Sequence, residues 1–264
     1  MIRVFFFLLL SLATLRAQAM PCELQLLVDR AAELSEGGVR PVVITDLDET
    51  IIDSTLRRYQ ALQQATFFHC GGYHQPDCHR LKGLNIEEFL SLKNRYDIEP
   101  LLDAIEFPAG PLRDQLLKSV FRSYLSGNFM ELDQAIPGAS ELIHALQKAG
   151  ADIYYVSSRS EKDQLPGTLQ SLRTLEFLQK GEEQNVILRP EHMSSIEFKR
   201  RSFFQINEKT ELLGGQVILV MENEPENMNA MTEIFPAAQA IFVDGAHLKD
   251  EPMLKPVKHL KNFR

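Results

Sequence analysis

Two aspartates spaced two residues apart stand at the end of a short apolar run. Residues 42–45, Val-Val-Ile-Thr, lead directly into Asp46-Leu47-Asp48-Glu49-Thr50. Residues two apart at a strand end can aim both carboxylates into one space, where their repulsion is costly unless a cation sits there. A hard divalent cation such as Mg2+ takes oxygen ligands of this kind, commonly one or two carboxylates together with substrate phosphate. The pair therefore points to metal-assisted chemistry on a phosphate group. A second concentration of reactive side chains, residues 68–79, holds three of the seven histidines and two of the three cysteines. In an oxidising compartment Cys70 and Cys78 would most naturally form a disulfide across this glycine- and proline-containing loop. The sharper alternative is a structural zinc held by Cys70, His74, Cys78 and either His69 or His79, whose spacing matches no standard zinc module. Cys22 is left over and could pair with either cysteine.

The elements that must position these groups follow from the periodicity. Short, mostly apolar runs at 42–45, 152–156, 185–188, 217–221 and 240–243 alternate with longer amphipathic stretches. That is the pattern of a parallel sheet covered by helices on both faces. Helices are expected near 140–149, 165–179, 194–208 and 226–234, the first ending at Gly150 and the last beginning beside Pro225. About a hundred residues without a strand signal separate the first run from the second. An ordinary crossover needs only a dozen or so, so an inserted helical unit is the simplest account. Its helices would include 56–67, 86–94 and 112–126. The expected organisation is an α/β core of 20–55 plus 135–264, with a helical cap, 56–134, inserted after the first strand.

Residues 1–19 stand apart from the core. Arg3, a nearly continuous apolar stretch from 4 to 15 and Ala17-Gln18-Ala19 read as a signal peptide cleaved after Ala19, which predicts an exported, periplasmic or secreted protein. The stretch is too short to span a bilayer. The full chain of 264 residues has 28 Lys+Arg against 36 Asp+Glu, a net charge of -8, and cleavage would remove Arg3 and Arg16 and no acid, leaving -10. Such a balance argues against a nucleic-acid polymer as partner, because phosphate backbones are bound by clustered Lys and Arg. A small phosphorylated ligand would need a local cation instead.

The Asp-x-Asp-x-Thr run of Asp46, Asp48 and Thr50 after a hydrophobic strand resembles the first motif of the haloacid dehalogenase (HAD) superfamily, in particular its acid-phosphatase-like hydrolases. The resemblance implies a Rossmann-like parallel sheet with a cap after the first strand, and a phosphomonoesterase that works through an aspartyl-phosphate. By the same resemblance, Asp46 is the nucleophile and a Mg2+ ligand. Asp48 is the general acid and base and gives its carbonyl to one Mg2+ per chain. Thr50 belongs to the substrate site. Ser157-Ser158-Arg159 after the second strand looks like the second motif, with Ser157 catalytic and Ser158 and Arg159 binding substrate. Lys199 is the expected third-motif cation, with Arg200 and Lys180 as competitors. Glu222 and Glu226 take the place of the family's usual fourth-motif aspartates as metal ligands, a departure that adds one methylene. The stretch from Asp46 to Tyr59 is similar to exported class C acid phosphatases, whose C-terminal Gly-Asp-Asn-Leu signature is absent here.

Two other functions use the same residues differently. One is phosphotransfer to an alcohol. The other is a non-catalytic binding protein on this fold, with the cap as a metal-binding or interaction module. If the cap covers a crevice, Phe67, Phe68, Tyr73 and His74 are its candidates for contact with the substrate's leaving group.

Overall fold

The computed structural model describes residues 20–71, 78–92, 98–245 and 251–264. The leader reading on residues 1–19, and the readings on Tyr73 and His74, lie outside the described residues. In chain order the elements are α1 (Cys22–Glu36), β1 (Arg40–Thr45), β2 (Ile52–Asp53) and α2 (Thr55–Cys70). Then come α3 (Cys78–Gly83), α4 (Ile86–Ser91), α5 (Ile98–Ala104), α6 (Pro111–Leu125) and β3 (Gln134–Ala135). The rest of the chain forms α7 (Ala139–Lys148), β4 (Asp152–Ser160), α8 (Glu161–Thr174), β5 (Val186–Arg189) and α9 (Ser195–Leu212). It ends with β6 (Gly215–Glu222), α10 (Pro225–Ile234), β7 (Gln239–Val243) and β8 (Lys258–Leu260).

Six strands form one sheet in the order β5-β4-β1-β6-β7-β8, and every pairing in it is parallel. The chain fills the sheet outward from β1 through β4 and β5, then returns to β6 on the other side. This reversal makes the carboxyl ends of β1 and β6 the switch point, where open α/β sheets bind ligands. The strand alternation explains why both faces are covered. Val43, Ile153 and Tyr155 point into a cluster with Leu24, Leu142 and Leu146 of α1 and α7. Val42, Ile44, Tyr154 and Val156 point the other way, onto Phe198, Phe203, Met228 and Met231 of α9 and α10.

The five strands read from the sequence are all present, and the sheet has a sixth. Lys258-His259-Leu260 pairs with β7 at the edge of the sheet. An edge strand is open on one side and needs no continuous apolar run, so its composition hid it. The strand β4 runs four residues past the expected end at 156, so Ser157, Ser158 and Arg159 lie on extended backbone rather than in a turn.

The insertion leaves and re-enters the core through β2 and β3, which pair antiparallel with Ile52 opposite Ala135. Between them, α2 to α6 enclose their own apolar cluster, including Ala61, Leu62, Leu81, Phe89, Leu101, Leu116 and Val120. Local signals place these helices. Asn85 and Glu88 form a reciprocal capping box at the start of α4, and Pro111 opens α6. Cys70 at the end of α2 and Cys78 at the start of α3 are joined in a disulfide, while Cys22 is free and exposed. With both sulfurs joined, neither is a thiolate for zinc. Closing a loop of this length stabilises by about 2–3 kcal/mol. Reduction, or Cys70→Ser with Cys78→Ser, is expected to lower the unfolding free energy by that amount, read as a lower denaturant midpoint at unchanged slope, and an unchanged midpoint would contradict the disulfide's structural role.

Candidate active site

The residues after β1 wrap tightly around one carbonyl. The backbone N–H groups of Thr50, Ile51 and Ile52 all donate to the Leu47 oxygen, at 3.2, 3.0 and 2.9 Å. Glu49 takes a left-handed conformation, φ 61°, in the middle of this turn. Such a conformation is uncommon outside glycine and is held here by surrounding contacts: Glu49 Oε1 accepts from the Ser54 hydroxyl at 2.6 Å and its N–H at 3.2 Å. The turn fixes Asp46, whose N–H donates to Met221 of β6 at 3.0 Å. Asp46 therefore sits at the switch point itself.

Asp46 is joined to β6 and α9 by one lysine. Lys199 Nζ donates to Asp46 Oδ1 at 2.5 Å and to Glu222 Oε2 at 2.9 Å, and the ammonium is buried. Ser194 caps α9 by accepting from the Glu197 N–H at 3.3 Å, which starts the helix just early enough to aim Lys199 inward from its second turn. Two carboxylates share this single cation. Burial, with the charge of Glu222 beside it, pushes Asp46 up to about 7 despite Lys199. Burial works against the charge on Lys199, but Asp46 and Glu222 outweigh it and hold its pKa above the ordinary value. Arg200, a competitor for this role, pairs with Glu233 at 2.7 Å on the surface, and Lys180 is exposed.

Asp48 lies in a different environment. Arg159 grips it with two bonds, Nε to Oδ2 at 2.8 Å and Nη2 to Oδ1 at 2.7 Å, and Arg57 Nη2 adds a third to Oδ1 at 2.5 Å. Burial would raise this carboxyl, but the two guanidiniums hold it well below the usual carboxylate range. Arg159, expected to contact substrate, lines the site's cavity and directs its donors at Asp48, at Asp133 Oδ2 (2.9 Å) and at Thr168 Oγ1 (3.3 Å). The sequence reading passed over Arg57, Arg58, Tyr124, Asp133 and Asn223. The only signal for the first two was a pair of arginines on the first helix after the Asp-x-Asp turn.

Asp46, Asp48, Ser157, Ser158, Arg159, Lys199 and Glu222 all line one cavity of about 610 Å³. The cap forms its opposite wall with Ile98 of α5 and Val120, Phe121, Tyr124 and Leu125 of α6. Phe67 and Phe68, proposed from sequence for this wall, are exposed at the far end of α2 and do not line it. Ser157 is buried at the floor, its hydroxyl accepting from the Arg159 N–H at 3.3 Å, and Ser158 meets Ser195 hydroxyl to hydroxyl. Thr50 Oγ1 donates to Asn223 Oδ1 at 3.0 Å and lies 3.5 Å from Asp46 Oδ2.

The acidic set at the fourth motif differs from the expectation. Glu222 is buried at the site, but Oε2 accepts from Lys199, and Oε1 accepts from the N–H groups of Asn223 and Glu224 at 3.1 and 3.2 Å. Glu226 does not line the cavity, whereas Asn223, Glu224 and Asn227 do. The reason is helical phase: α10 begins at Pro225, and residue 226 lies about 100° around the axis from residue 227. Among the described residues, no group of three or more His, Cys, Asp or Glu side chains is spaced to hold a metal. The donor chemistry nonetheless suits a hard cation. Asp46 and Glu222 leave one negative charge beyond what Lys199 neutralises, and Asp46 Oδ2 and Asn223 Oδ1 both approach Thr50 Oγ1.

Residues 128–222 match the family described as HAD superfamily, subfamily IIIB (acid phosphatase). No curated protein matches the chain. Solved structures similar to it include a predicted phosphoglycolate phosphatase from Haemophilus somnus, 14% identical, with 84% of this chain and 94% of that one covered and a TM-score of 0.49. CbbY from Rhodobacter sphaeroides in complex with phosphate is 15% identical over 84% of this chain and 94% of that one, with a TM-score of 0.46. A haloacid dehalogenase-like family hydrolase from Streptococcus pneumoniae is 13% identical over 78% and 85%, with a TM-score of 0.43.

Proposed function

We propose, from the match of residues 128–222 to the family described as HAD superfamily, subfamily IIIB (acid phosphatase), that this chain hydrolyses small phosphate monoesters in two steps through Asp46. The observation that carries the reading is Lys199 bridging Asp46 and Glu222 on the floor of a cavity roofed by the cap. In the first step an Asp46 oxygen bonds to phosphorus and the ester oxygen leaves with a proton from Asp48. The two guanidiniums hold Asp48 ionised in the free chain, and the negative charge of the bound ester beside it raises its pKa so that it takes up that proton on binding. In the second, water attacks phosphorus, Asp48 receives its proton, and Asp46 departs as a carboxylate. A carboxylate nucleophile divides one difficult displacement into two easier ones. The ammonium of Lys199, the Ser157 hydroxyl and nearby N–H groups face the phosphoryl oxygens, where preorganised donors act on developing charge.

Asp46, the Asp48 carbonyl and Asn223 Oδ1, with Glu222 beside them, are the residues that would hold Mg2+. When bound, Mg2+ supplies positive charge to phosphoryl oxygens. The neutral amide at 223 is expected to weaken this site relative to an aspartate. Asn223→Asp should lower the Mg2+ concentration for half-maximal activity several-fold, about one kcal/mol or more of added charge interaction; an unchanged requirement would contradict Asn223 as a ligand. The Cys70–Cys78 disulfide supports action in an oxidising compartment outside the cytoplasm.

The test is phosphate release from p-nitrophenyl phosphate and nucleoside monophosphates, with Mg2+ or EDTA. Mg2+-dependent release supports the reading, and folded, Mg2+-supplied protein that is inactive across a broad ester panel would sink it. Transfer to an alcohol uses the same groups, and an added acceptor such as glycerol separates it by product.

A further inference from the structure

Asp48, Arg159, Asp133 and Arg57 form a closed ring of alternating charge. Arg159 Nη2 reaches Asp48 Oδ1 at 2.7 Å and Asp133 Oδ2 at 2.9 Å. On the other side, Arg57 Nη2 reaches Asp48 Oδ1 at 2.5 Å, and its Nε stands 3.4 Å from Asp133 Oδ1. The Arg57 and Asp133 side chains are 0% exposed and Arg159 is 2% exposed. Two guanidiniums converging on a single carboxylate repel one another. Asp133 stands behind them and contacts both, so it is the group that allows them to meet at Asp48.

The four residues come from four separate places. Asp48 follows β1, and Arg159 lies near the end of β4. Arg57 is in the first turn of α2, the helix that enters the cap, and Asp133 lies just before β3, where the chain returns from the cap. Both covalent crossings of the insertion therefore end in the ring. Tyr124 of α6 reinforces it, with its hydroxyl 3.0 Å from Arg57 Nη2 and 3.0 Å from Ser54 Oγ. A general acid must present one oxygen within hydrogen-bond reach of the leaving group, and a displacement of about 1 Å can reduce rate by about 10²-fold. Here the orientation of that carboxylate is set by groups that belong to the cap's attachment.

We infer that Arg57 and Asp133 are positioning residues for Asp48, so that the docked root of the cap is what aims the acid at the leaving oxygen. The inference rests on the phosphatase reading above. Neither residue needs to touch substrate, and neither lines the cavity.

The test separates aiming from mere stability. Asp133→Asn and Arg57→Lys are compared with wild type by kcat/KM over a series of phosphate esters, from 2,4-dinitrophenyl phosphate to a simple alkyl phosphate. A dinitrophenolate leaves without a proton and an alkoxide does not. Both variants are expected to lose about 10²-fold on the alkyl ester and no more than about threefold on the dinitrophenyl ester, steepening the leaving-group dependence. Arg57→Lys retains the charge and carries the test if Asp133→Asn does not fold. Equal losses along the series, or none, would overturn the inference and leave the phosphatase reading standing. An inactive wild type would overturn both.

Discussion

Asp46→Asn is expected to abolish phosphate release, by at least about 10⁴-fold, while making the metal-free protein more stable. The first part follows from removing the nucleophile's charge without changing its shape. The second follows from the electrostatics of the floor, where Asp46 and Glu222 share the one ammonium of Lys199. Burial and Glu222 raise Asp46 from its ordinary 3.8 to about 7 in the fold. The folded chain thus holds this proton more tightly than the unfolded chain, and the ionised group weakens the fold. That penalty is complete above about pH 7 and absent below about pH 4. Thermal unfolding of metal-free Asp46→Asn should show a gain of about 1–3 kcal/mol at pH 8 that disappears toward pH 4. Glu49, raised to about 7 by burial, titrates in both proteins and cancels from the comparison. A variant that is less stable at pH 8 would contradict the assignment of excess negative charge to this floor.

Lys199→Met should be the most damaging single change to both fold and activity. It leaves Asp46 and Glu222 buried with no cation between them, and removing one partner of a buried pair typically costs about 3–5 kcal/mol. It also removes a preorganised positive charge from the phosphoryl site, an effect worth about 10²–10³-fold in turnover. The two effects can be pulled apart. In the double variant Lys199→Met with Glu222→Gln, one of the unpaired charges is gone, so most of the stability should return. Activity should not return, because the cation is still missing. Recovery of both together would mean that Lys199 is only a structural counter-ion.

How far these features could be read from the sequence depended on whether chemistry or packing dictated the residue. The Val-Val-Ile-Thr strand and the Asp-x-Asp turn were legible because a doubly covered parallel strand is apolar throughout and its site residues follow at once. Lys199 was legible from helix position and the need for a local cation in an acidic chain. Its burial at 1% exposure decides between it and the surface Arg200. The start of α10 at Pro225 was legible, but the side of the helix that meets the cavity was not, because it depends on how α10 packs on the sheet and α9; Asn227 lines the cavity and Glu226 does not. The ring around Asp48 was also hidden. Arg57 and Asp133 are 76 positions apart in sequence, and their meeting depends on how the cap's two crossings pack. β8 escaped because three residues at a sheet edge, two of them polar, carry no periodic signal.

The central claim is that Asp46 forms a covalent bond to phosphorus. Acid-quenching the protein during turnover of a phosphate ester, followed by mass spectrometry of its peptides, tests this most directly. The account predicts one base-labile phosphoryl group on the peptide containing Asp46, present in wild type and absent in Asp46→Asn. Sustained phosphate release with no phosphorylated peptide at any quench time, or with the phosphoryl group on another residue, would contradict it.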